Sequence, residues 1–337
     1  MKKAFLFSVT LLYIQLLHAQ LPEFSYHVKN RVVVTNIDNQ LTRLSFILPL
    51  AKTNQYQTVS NVNTYGGVNV NIPETDDGYL RWTFTEDLPA VSQSKEIFYE
   101  FDVTVNPVNF DFTKVTSIHP YDTSSENYKW YTGASGAYVD PYNKVIKRTG
   151  NDLWSKSSDI IDYARKCYEH VATNYSYVNP FTGLHTLQDI LNAGGGDCGN
   201  LSSVFISLLR HKNIPARHIV TVRPDGVYHV WADFYLEKYG WVPVDVTFKN
   251  SDPYGDYFGK FDGNGIVMSK DVYLLIDKGN GQKYYGDILQ SYTMWYWATE
   301  GSRMNSKHQL ISSRLSQKDD KNVVSEVSVQ NPQFIEE

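Results

Sequence analysis

Three residues in the second half of the chain are of types that can together perform nucleophilic catalysis: Cys198, His229 and Asp245. They lie in the segments GGGDCGNLSSVFISLLRHKNIPAR, YHVWADFYL and GWVPVDVTF. A thiol attacks a carbonyl carbon, an imidazole takes the thiol proton and returns it to the leaving group, and a carboxylate orients the imidazole. The order of the three residues therefore predicts a nucleophile, its base and an orienting acid.

Cys198 stands at the predicted start of an amphipathic helix. The apolar residues that recur at helical spacing after it are Leu201, Val204, Phe205, Leu208 and Leu209. We expect the helix to begin at Asp197 or Cys198 and to end before Pro215. A thiol in a first helical turn feels the positive end of the helix dipole, and such cysteines near a histidine titrate at about 3.5 to 7.5. Unpaired backbone N–H groups there can also receive an oxyanion.

The residues after Cys198 predict two strands that bring His229 and Asp245 to the helix. In residues 229–236 the apolar side chains alternate, so His229 shares one face with Trp231, and Val230 belongs to the opposite, core-facing side. Asp245 falls in a second predicted strand, residues 241–246, after a turn at Gly240. If the face that carries His229 borders a cleft beside the helix, the imidazole can reach the thiol.

Composition and charge limit the classes of protein to which the chain can belong. Its 337 residues are 42% hydrophobic and 20% charged, which is ordinary for a globular protein. The net charge of −5 makes nucleic acid a poor partner. Lys2 and Lys3 precede an apolar run and Ala19, so residues 1–19 read as a signal peptide. We expect a periplasmic or secreted protein with no transmembrane segment in the mature chain.

The remaining sequence divides into three parts and predicts an α+β fold. Residues 20–115 show short alternating runs, of which 96–105 is the clearest, and predict an antiparallel β-sandwich. Residues 116–300 predict an α+β domain, with helices over 158–174 and 198–211 followed by strands. Residues 301–337 are polar and predict a partly disordered tail.

Cys167 and Cys198 are the only cysteines, so a disulfide between them is one alternative in an exported chain. The other is that Cys167 is structural. It shares a predicted helical face with Ala164 and Val171, where a cysteine behaves as a small buried hydrophobe. We favour the structural interpretation, which leaves Cys198 free to react.

The three segments quoted above resemble the transglutaminase-like superfamily of papain-like cysteine enzymes, over about residues 120–300. The resemblance implies that Cys198 is the nucleophile, His229 the general base and acid, and Asp245 the orienting group of an acyl-enzyme route through a thioester. Many members have Asp-Pro where this chain has Asp245 and Val246. Many also have Gly-Ile-Pro-Ala-Arg where this chain has Asn-Ile-Pro-Ala-Arg, residues 213–217. Neither departure removes a proposed catalytic side chain.

The sequence leaves the acyl acceptor open. Water would make the protein a peptidase or amidase, and a lysine amine would make it a crosslinking acyltransferase. We favour hydrolysis of a peptide-like substrate, because the sequence carries no calcium signature of the kind that crosslinking relatives often use. A catalytically silent protein that binds peptide or glycan is a third alternative. The oligomeric state is not predicted.

Other residues offer weaker candidates for the site. Gln188 either lends its amide to an oxyanion hole or is a surface residue of a helix, and the surface role is the commoner one. Trp231 either walls the acyl channel or packs in the core. The segment DPYGDYFGKFDGNG is rich in oxygen ligands, but turn-forming Asp-Gly and Asn-Gly pairs explain it equally well. His170, His185, His211 and His218 have no Cys or His partner at zinc spacing, and the sequence predicts neither a metal nor another cofactor.

Overall fold

The structure is a computed structural model, and it describes residues 24–178 and 183–315. The predicted signal peptide, residues 1–19, lies outside the described residues, as do residues 316–337 of the predicted tail. None of the helices in the described ranges is both long and apolar enough to cross a membrane.

The described residues form the following elements in chain order. The strands are β1 Phe24–Asn36, β2 Leu41–Pro49, β3 Gln57–Asn63, β4 Val68–Ile72, β5 Asp77–Phe84, β6 Ser94–Val105, β7 Val108–Asn109, β8 Ser176–Tyr177, β9 Gly195–Gly196, β10 Ala216–Val222, β11 Tyr228–Leu236, β12 Gly240–Val244, β13 Lys260–Phe261, β14 Ile266–Lys270, β15 Leu274–Asp277, β16 Lys283–Gly286, β17 Thr293–Ala298 and β18 Met304–Arg314. The α-helices are α1 Glu126–Thr132, α2 Lys144–Ser155, α3 Ile160–Asn174, α4 Leu187–Ala193, α5 Cys198–His211 and α6 Val246–Ser251.

The N-terminal part forms a sandwich of two four-stranded antiparallel sheets, as the sequence predicts, but two of the strands, β17 and β18, come from beyond the predicted range of 20–115. One sheet has the order β18-β1-β6-β3 and the other the order β17-β2-β5-β4. Alternate residues of β1, β2, β5 and β6 point into a shared apolar core, to which β2 contributes Phe46 and β6 contributes Phe101. The predicted buried face of β6 is confirmed, from Ile97 at one end to Val105 at the other. The period of two in the sequence thus follows the pleat of the strands.

The C-terminal strands return to this sandwich, and the prediction of a tail over 301–337 is wrong for Met304–Arg314. Strand β18 pairs with β1 from Asn36 opposite Met304 to Tyr26 opposite Arg314. Its buried side chains include His308 and Leu310. Because β18 is an edge strand with one solvated face, its composition is polar and conceals the strand in a count of apolar residues.

The second part is built on the antiparallel sheet β12-β11-β10-β14, which confirms the α+β class. Helix α5 covers one face, where Phe205 and Leu209 share a core with Phe234. The other face is covered by the sandwich, and Trp231 belongs to the sandwich core. The face of β11 that carries His229 is therefore buried at Trp231 and Asp233, and His229 at its beginning borders a cleft.

Buried hydrogen bonds join the sandwich to this sheet. The Tyr56 hydroxyl donates to the Asp233 carboxylate on β11. Arg217 donates to the same carboxylate at 3.0 Å and lies 3.8 Å from the Trp241 ring centroid, so its role is structural. A buried charge is tolerated only when it is paired and hydrogen-bonded, and Asp233 has both kinds of partner. The two parts consequently share one continuous interior.

The helices agree closely with the sequence patterns. Helix α3 runs from Ile160 to Asn174, and α5 spans Cys198–His211 as predicted. Both cysteines are free thiols, and Cys167 is buried in the core between α3 and α5. The structural interpretation of Cys167 is therefore confirmed, and burial raises the pKa of its thiol.

Candidate active site

Three consecutive glycines deliver the chain to Cys198, each for a different reason. Gly194 ends α4 in the left-handed conformation, with a φ of 68°. Gly195 pairs with Ser176, and a Cβ on it would lie 2.2 Å from the Ser176 carbonyl oxygen. A Cβ on Gly196 would lie 2.5 Å from the Cβ of Asn200. Only glycine fits so close an approach, so the sharp entry predicted from the sequence has a steric basis.

Asp197 and Asn200 hold the first turn of α5 in place. Asp197 is the N-cap, and its Oδ1 accepts from the Asn200 backbone N–H at 3.0 Å. The buried Asn200 amide donates to the Gly183 carbonyl at 3.1 Å and accepts from the His185 N–H at 2.8 Å. Cys198 is therefore the first residue of a well-capped helix, where its own N–H has no acceptor within the helix.

His229 and Asp245 form a close, largely buried pair. The Nε2 atom of His229 lies 2.5 Å from Oδ2 of Asp245, and the two side chains are 12% and 8% exposed. The other oxygen, Oδ1, accepts from the N–H groups of Thr247 at 3.0 Å and Phe248 at 2.9 Å. Asp245 is thus the N-cap of α6, and the predicted strand over 241–246 ends earlier, at Val244. This cap fixes the carboxylate that faces the imidazole.

The surroundings of His229 favour its charged form. Burial alone lowers the pKa of the imidazole, but the Asp245 charge and hydrogen bond outweigh it, and the nearby Cys198 adds to the rise. Together they raise the pKa of His229 to about 10. The Phe248 ring stacks on the imidazole with centroids 4.7 Å apart and 11° between the planes. Because Nε2 faces Asp245, Nδ1 is the nitrogen left for the thiol.

Two cavities lie beside these residues, one on the Cys198 side and one on the His229 side. The first, here called the thiol-side cavity, has a volume of about 310 Å³ and is lined by Cys198 and Asp197. The second, the imidazole-side cavity, has a volume of about 360 Å³ and is lined by His229 and Asp245. The site thus offers separate space on each side of the cysteine and histidine.

Two lining residues of the thiol-side cavity were missed in the sequence, Tyr177 and Gln290. Tyr177 pairs with Gly196 through β8 and β9, which brings its ring to Cys198. Burial, then Cys198 and Asp197, raise the pKa of its hydroxyl. Gln290 comes from the segment between β16 and β17, far along the chain, and no spacing or motif marks it. Only the short YSY pattern near Tyr177 offered a local signal.

The weaker sequence candidates fall in different places. Gln188 lies on the exposed side of α4, where its amide bonds Asn143 at 3.1 Å and Asn192 at 2.8 Å, outside the thiol-side cavity. Trp231 stacks on Phe261 in the core at 4.8 Å, and it also lines the imidazole-side cavity. The structure therefore brings Trp231, but not Gln188, to the site.

The oxygen-rich segment after α6 forms turns and ion pairs. Asp256 is paired with Arg165 at 2.5 Å, and Oδ1 of Asp262 accepts from the Asn264 N–H at 2.8 Å. Across residues 24–178 and 183–315, no group of three or more His, Cys, Asp or Glu side chains could hold a metal ion. The turn interpretation of this segment accounts for its composition.

The arrangement can support nucleophilic chemistry on a carbonyl. A thiol at a helix start lies near an imidazole whose proton affinity is raised by a fixed carboxylate. The first-turn N–H of Cys198 is a donor for an oxyanion, and the Tyr177 hydroxyl lines the same cavity. These groups are of the types that attack, proton transfer and charge stabilisation require.

The part of the chain that contains Cys198, His229 and Asp245 is similar to a known protein family. Residues 147–246 match the transglutaminase-like superfamily. An uncharacterized protein from Haemophilus influenzae is 26% identical over 130 residues, which cover 30% of this chain and 35% of that protein. The match thus spans about a third of the length of this curated relative.

The fold also occurs in a solved structure. The crystal structure named "Putative Cysteine Protease from Cytophaga hutchinsonii" superimposes with a TM-score of 0.61 at 11% identity, covering 90% of this chain and 94% of that one. The similarity covers both the sandwich and the second part, and at this identity it is a similarity of fold.

Proposed function

We propose that this chain, whose residues 147–246 match the transglutaminase-like superfamily, is a cysteine-dependent amide-bond enzyme that hydrolyses a peptide-like substrate. Cys198 is the nucleophile, His229 the general base and acid, and Asp245 the group that orients and stabilises the imidazolium. The observation that carries the proposal is the 2.5 Å contact between His229 and Asp245, which holds a charged imidazole beside a thiol at a helix start.

The first half of the reaction forms a thioester. Transfer of the thiol proton to Nδ1 of His229 gives the charged imidazole and a thiolate, the Cys198 sulfur then attacks the amide carbon, and the N–H of Cys198 stabilises the oxyanion. The imidazolium then protonates the leaving nitrogen as the carbon–nitrogen bond breaks. The acyl group bonded to sulfur occupies the thiol-side cavity, and the departing amine leaves past His229.

The second half of the reaction decides between hydrolysis and transfer. In hydrolysis, His229 takes a proton from water, the resulting hydroxide equivalent attacks the thioester carbon, and the thiolate leaves. In transfer, an amine attacks at the same position. We prefer water as the acceptor because crosslinking relatives often use calcium. The one oxygen-rich segment considered for calcium, residues 252–265, uses Asp256 in an ion pair and Asp262 in a turn.

A peptide library tests this proposal directly. Cleavage products that appear with the native protein and disappear with Cys198→Ala would support a cysteine hydrolase, with mass spectrometry as the readout. A parallel incubation with glutamine peptides and a labelled amine tests transfer. Cys198-dependent incorporation of the amine that exceeds hydrolysis would defeat the preference for water.

We also propose that the protein is exported. The support is the sequence of residues 1–19, with Lys2 and Lys3 before an apolar run and a small residue, Ala19, at the expected cleavage point. Expression of the full chain in a bacterium, followed by N-terminal sequencing of the product, tests this. A periplasmic product that begins near Gln20 agrees with export, whereas an intact N-terminus on a cytoplasmic product contradicts it.

A further inference from the structure

The thiol-side cavity has walls that suit one apolar side chain. Leu184, Val230 and Ile288 line it together with the rings of Tyr177 and Tyr228. A volume of about 310 Å³ is near the lower end for small-molecule sites, so the cavity suits a short group. Apolar walls around Cys198 favour an acyl group with an aliphatic side chain.

Two polar side chains of the same cavity, Gln290 and Asp197, can act as hydrogen-bond acceptors. The Gln290 amide nitrogen donates to the Thr221 carbonyl at 2.7 Å and to the His229 carbonyl at 3.2 Å. Since both amide hydrogens are used on backbone oxygens, Oε1 must face the other way and is the polar atom that Gln290 can offer to a ligand. Its orientation is set by the protein before any substrate binds.

Asp197 supplies a negative charge next to the nucleophile. Its Oδ1 serves the helix cap by accepting from both nitrogens of Asn200, at 3.0 Å and 2.8 Å, and the side chain also lines the cavity. Burial raises the pKa of Asp197, so a cation bound beside it would relieve part of the cost of the buried charge. Among the described residues that line this cavity, none is a lysine, an arginine or a histidine.

From these contacts we propose that the thiol-side cavity binds an N-terminal residue with a free, protonated α-amine, recognised by the Asp197 carboxylate and the Gln290 carbonyl oxygen. The inference rests on the proposed function, because it takes Cys198 as the nucleophile that receives the acyl group. The α-amine and the scissile carbonyl belong to the same residue, and Asp197 and Cys198 line the same cavity, so one bound residue can face both protein groups. The enzyme would then remove residues from the amino end of its substrate.

Two affinity labels test this without knowledge of the substrate. Leucine chloromethyl ketone carries the free amine, and N-acetyl-leucine chloromethyl ketone differs by its acetylated nitrogen. With either reagent the Cys198 sulfur bonds to the methylene carbon as chloride leaves. We expect the free-amine reagent to label Cys198 at least ~10-fold faster than the acetylated one, a ratio that corresponds to about 1.4 kcal/mol. Iodoacetamide measures the intrinsic reactivity of the thiol in each protein.

Variants connect the preference to its residues. Asp197→Asn keeps a good N-cap but removes the charge, and we expect it to lower the labelling ratio to about 1 to 3. Gln290→Met keeps the length of the side chain without the carbonyl and should lower the ratio as well. Gln188→Met is the matched control on the exposed side of α4, and its ratio should equal that of the native protein.

The outcomes separate this inference from the proposed function. Equal labelling by the two reagents, faster labelling by the acetylated one, or an unchanged ratio in Asp197→Asn would each overturn the amine site while leaving the nucleophile intact. If iodoacetamide reacts with Cys198 no faster than with a cysteine in an unfolded peptide at pH 6, the activated nucleophile itself is refuted, and the amine site falls with it.

Discussion

The Asp245 carboxylate uses its two oxygens for different purposes. One oxygen caps α6 and the other bonds the imidazole of His229, so the start of a six-residue helix orients the proposed base. The Phe248 ring, one turn into the same helix, stacks on that imidazole. A short helix therefore immobilises the histidine from two directions, which reduces the conformational freedom it must lose in the reaction.

Replacing Asp245 by Asn should change the pH range in which the thiol reacts. Asn still caps α6, but it removes the charge that holds the pKa of His229 at about 10, so burial then lowers the pKa of the imidazole. We expect alkylation of Cys198 by iodoacetamide at pH 7 to fall at least ~10-fold and to approach the native rate near pH 10. The measurement is the alkylation rate from pH 5 to 10.

The control for this measurement is Asp152→Asn, which removes an exposed carboxylate paired with Lys156 on α2. Its profile should match that of the native protein. If Asp245→Asn also left the profile unchanged, the ion pair would have no part in activating the thiol.

At the scale of elements, the turn between α4 and α5 determines where Cys198 points. Strands β8 and β9 are two residues each, yet their pairing brings Tyr177 to the thiol-side cavity and sets the direction in which α5 begins. Gly195 is the residue that permits this pairing, since its neighbour is a backbone oxygen that cannot move independently. Local backbone geometry thus positions Cys198 at the cavity.

Gly195→Ala should therefore destabilise the protein and weaken the site. A Cβ at 2.2 Å from the Ser176 carbonyl oxygen must separate β8 from β9, and overpacking of this kind costs about 1 to 3 kcal/mol of unfolding free energy. We expect a loss of that size in urea unfolding, together with slower alkylation of Cys198.

Gly194→Asn is the matched comparison. The φ of 68° at this position suits Asn, and no atom lies within 4 Å of the place that a Cβ would take. The variant should lose less than about 1 kcal/mol. Equal losses for the two variants would argue against the close approach at Gly195.

At the scale of the whole molecule, the last described strand supports the proposed active site. The Nε2 atom of His308 on β18 bonds Asn30 on β1 at 2.7 Å, and its Nδ1 atom lies at hydrogen-bond distance, 2.8 Å, from the Tyr228 hydroxyl oxygen. Tyr228 lines the thiol-side cavity and precedes His229. The sandwich is thus connected through one buried histidine to the wall of the cavity.

This buried histidine predicts a loss of stability in mild acid. Burial lowers the pKa of His308 to about 4, below the 6.5 of the unfolded chain, so between these values the unfolded state binds a proton that the native state does not. Stability should fall as the pH drops from about 6.5 to about 4, by up to about 1.4 kcal/mol per pH unit. Urea unfolding at pH 7, 6 and 5 measures this slope.

His308→Gln removes the titrating group, so its unfolding free energy should depend less on pH over the same range. His119→Gln, a change at a histidine bonded to a surface serine, should keep the native slope. A native slope in His308→Gln would assign the acid sensitivity to other groups.

Removing β18 should prevent stable folding. A chain that ends at Gly301 exposes the edge of β1 and loses the core side chains of Met304, His308 and Leu310. We expect such a chain to show no cooperative thermal transition by circular dichroism and no fast alkylation of Cys198. The comparator ends at Leu315 and retains β18. A cooperative transition of the shorter chain at the native temperature would contradict this role.

The amino-acid sequence by itself determined the local parts of the site. Helix α5 was predicted with its observed bounds, because an apolar period of 3.6, an aspartate cap and three glycines are all local signals. The strand that carries His229 was predicted within one residue, because the alternation of side chains along a strand is also local. The order of Cys198, His229 and Asp245 suggested their roles before any contact was known.

Only the tertiary structure decided how these parts meet. It placed the sandwich against the face of β11 that carries His229, brought Gln290 and Tyr177 to the cavity of Cys198, and returned a polar C-terminal segment to the sandwich as β18. It also made Asp245 a helix cap, although its sequence pattern had suggested a strand. Each of these features depends on contacts between residues far apart in the chain, and such contacts leave no periodic pattern or local spacing in the sequence.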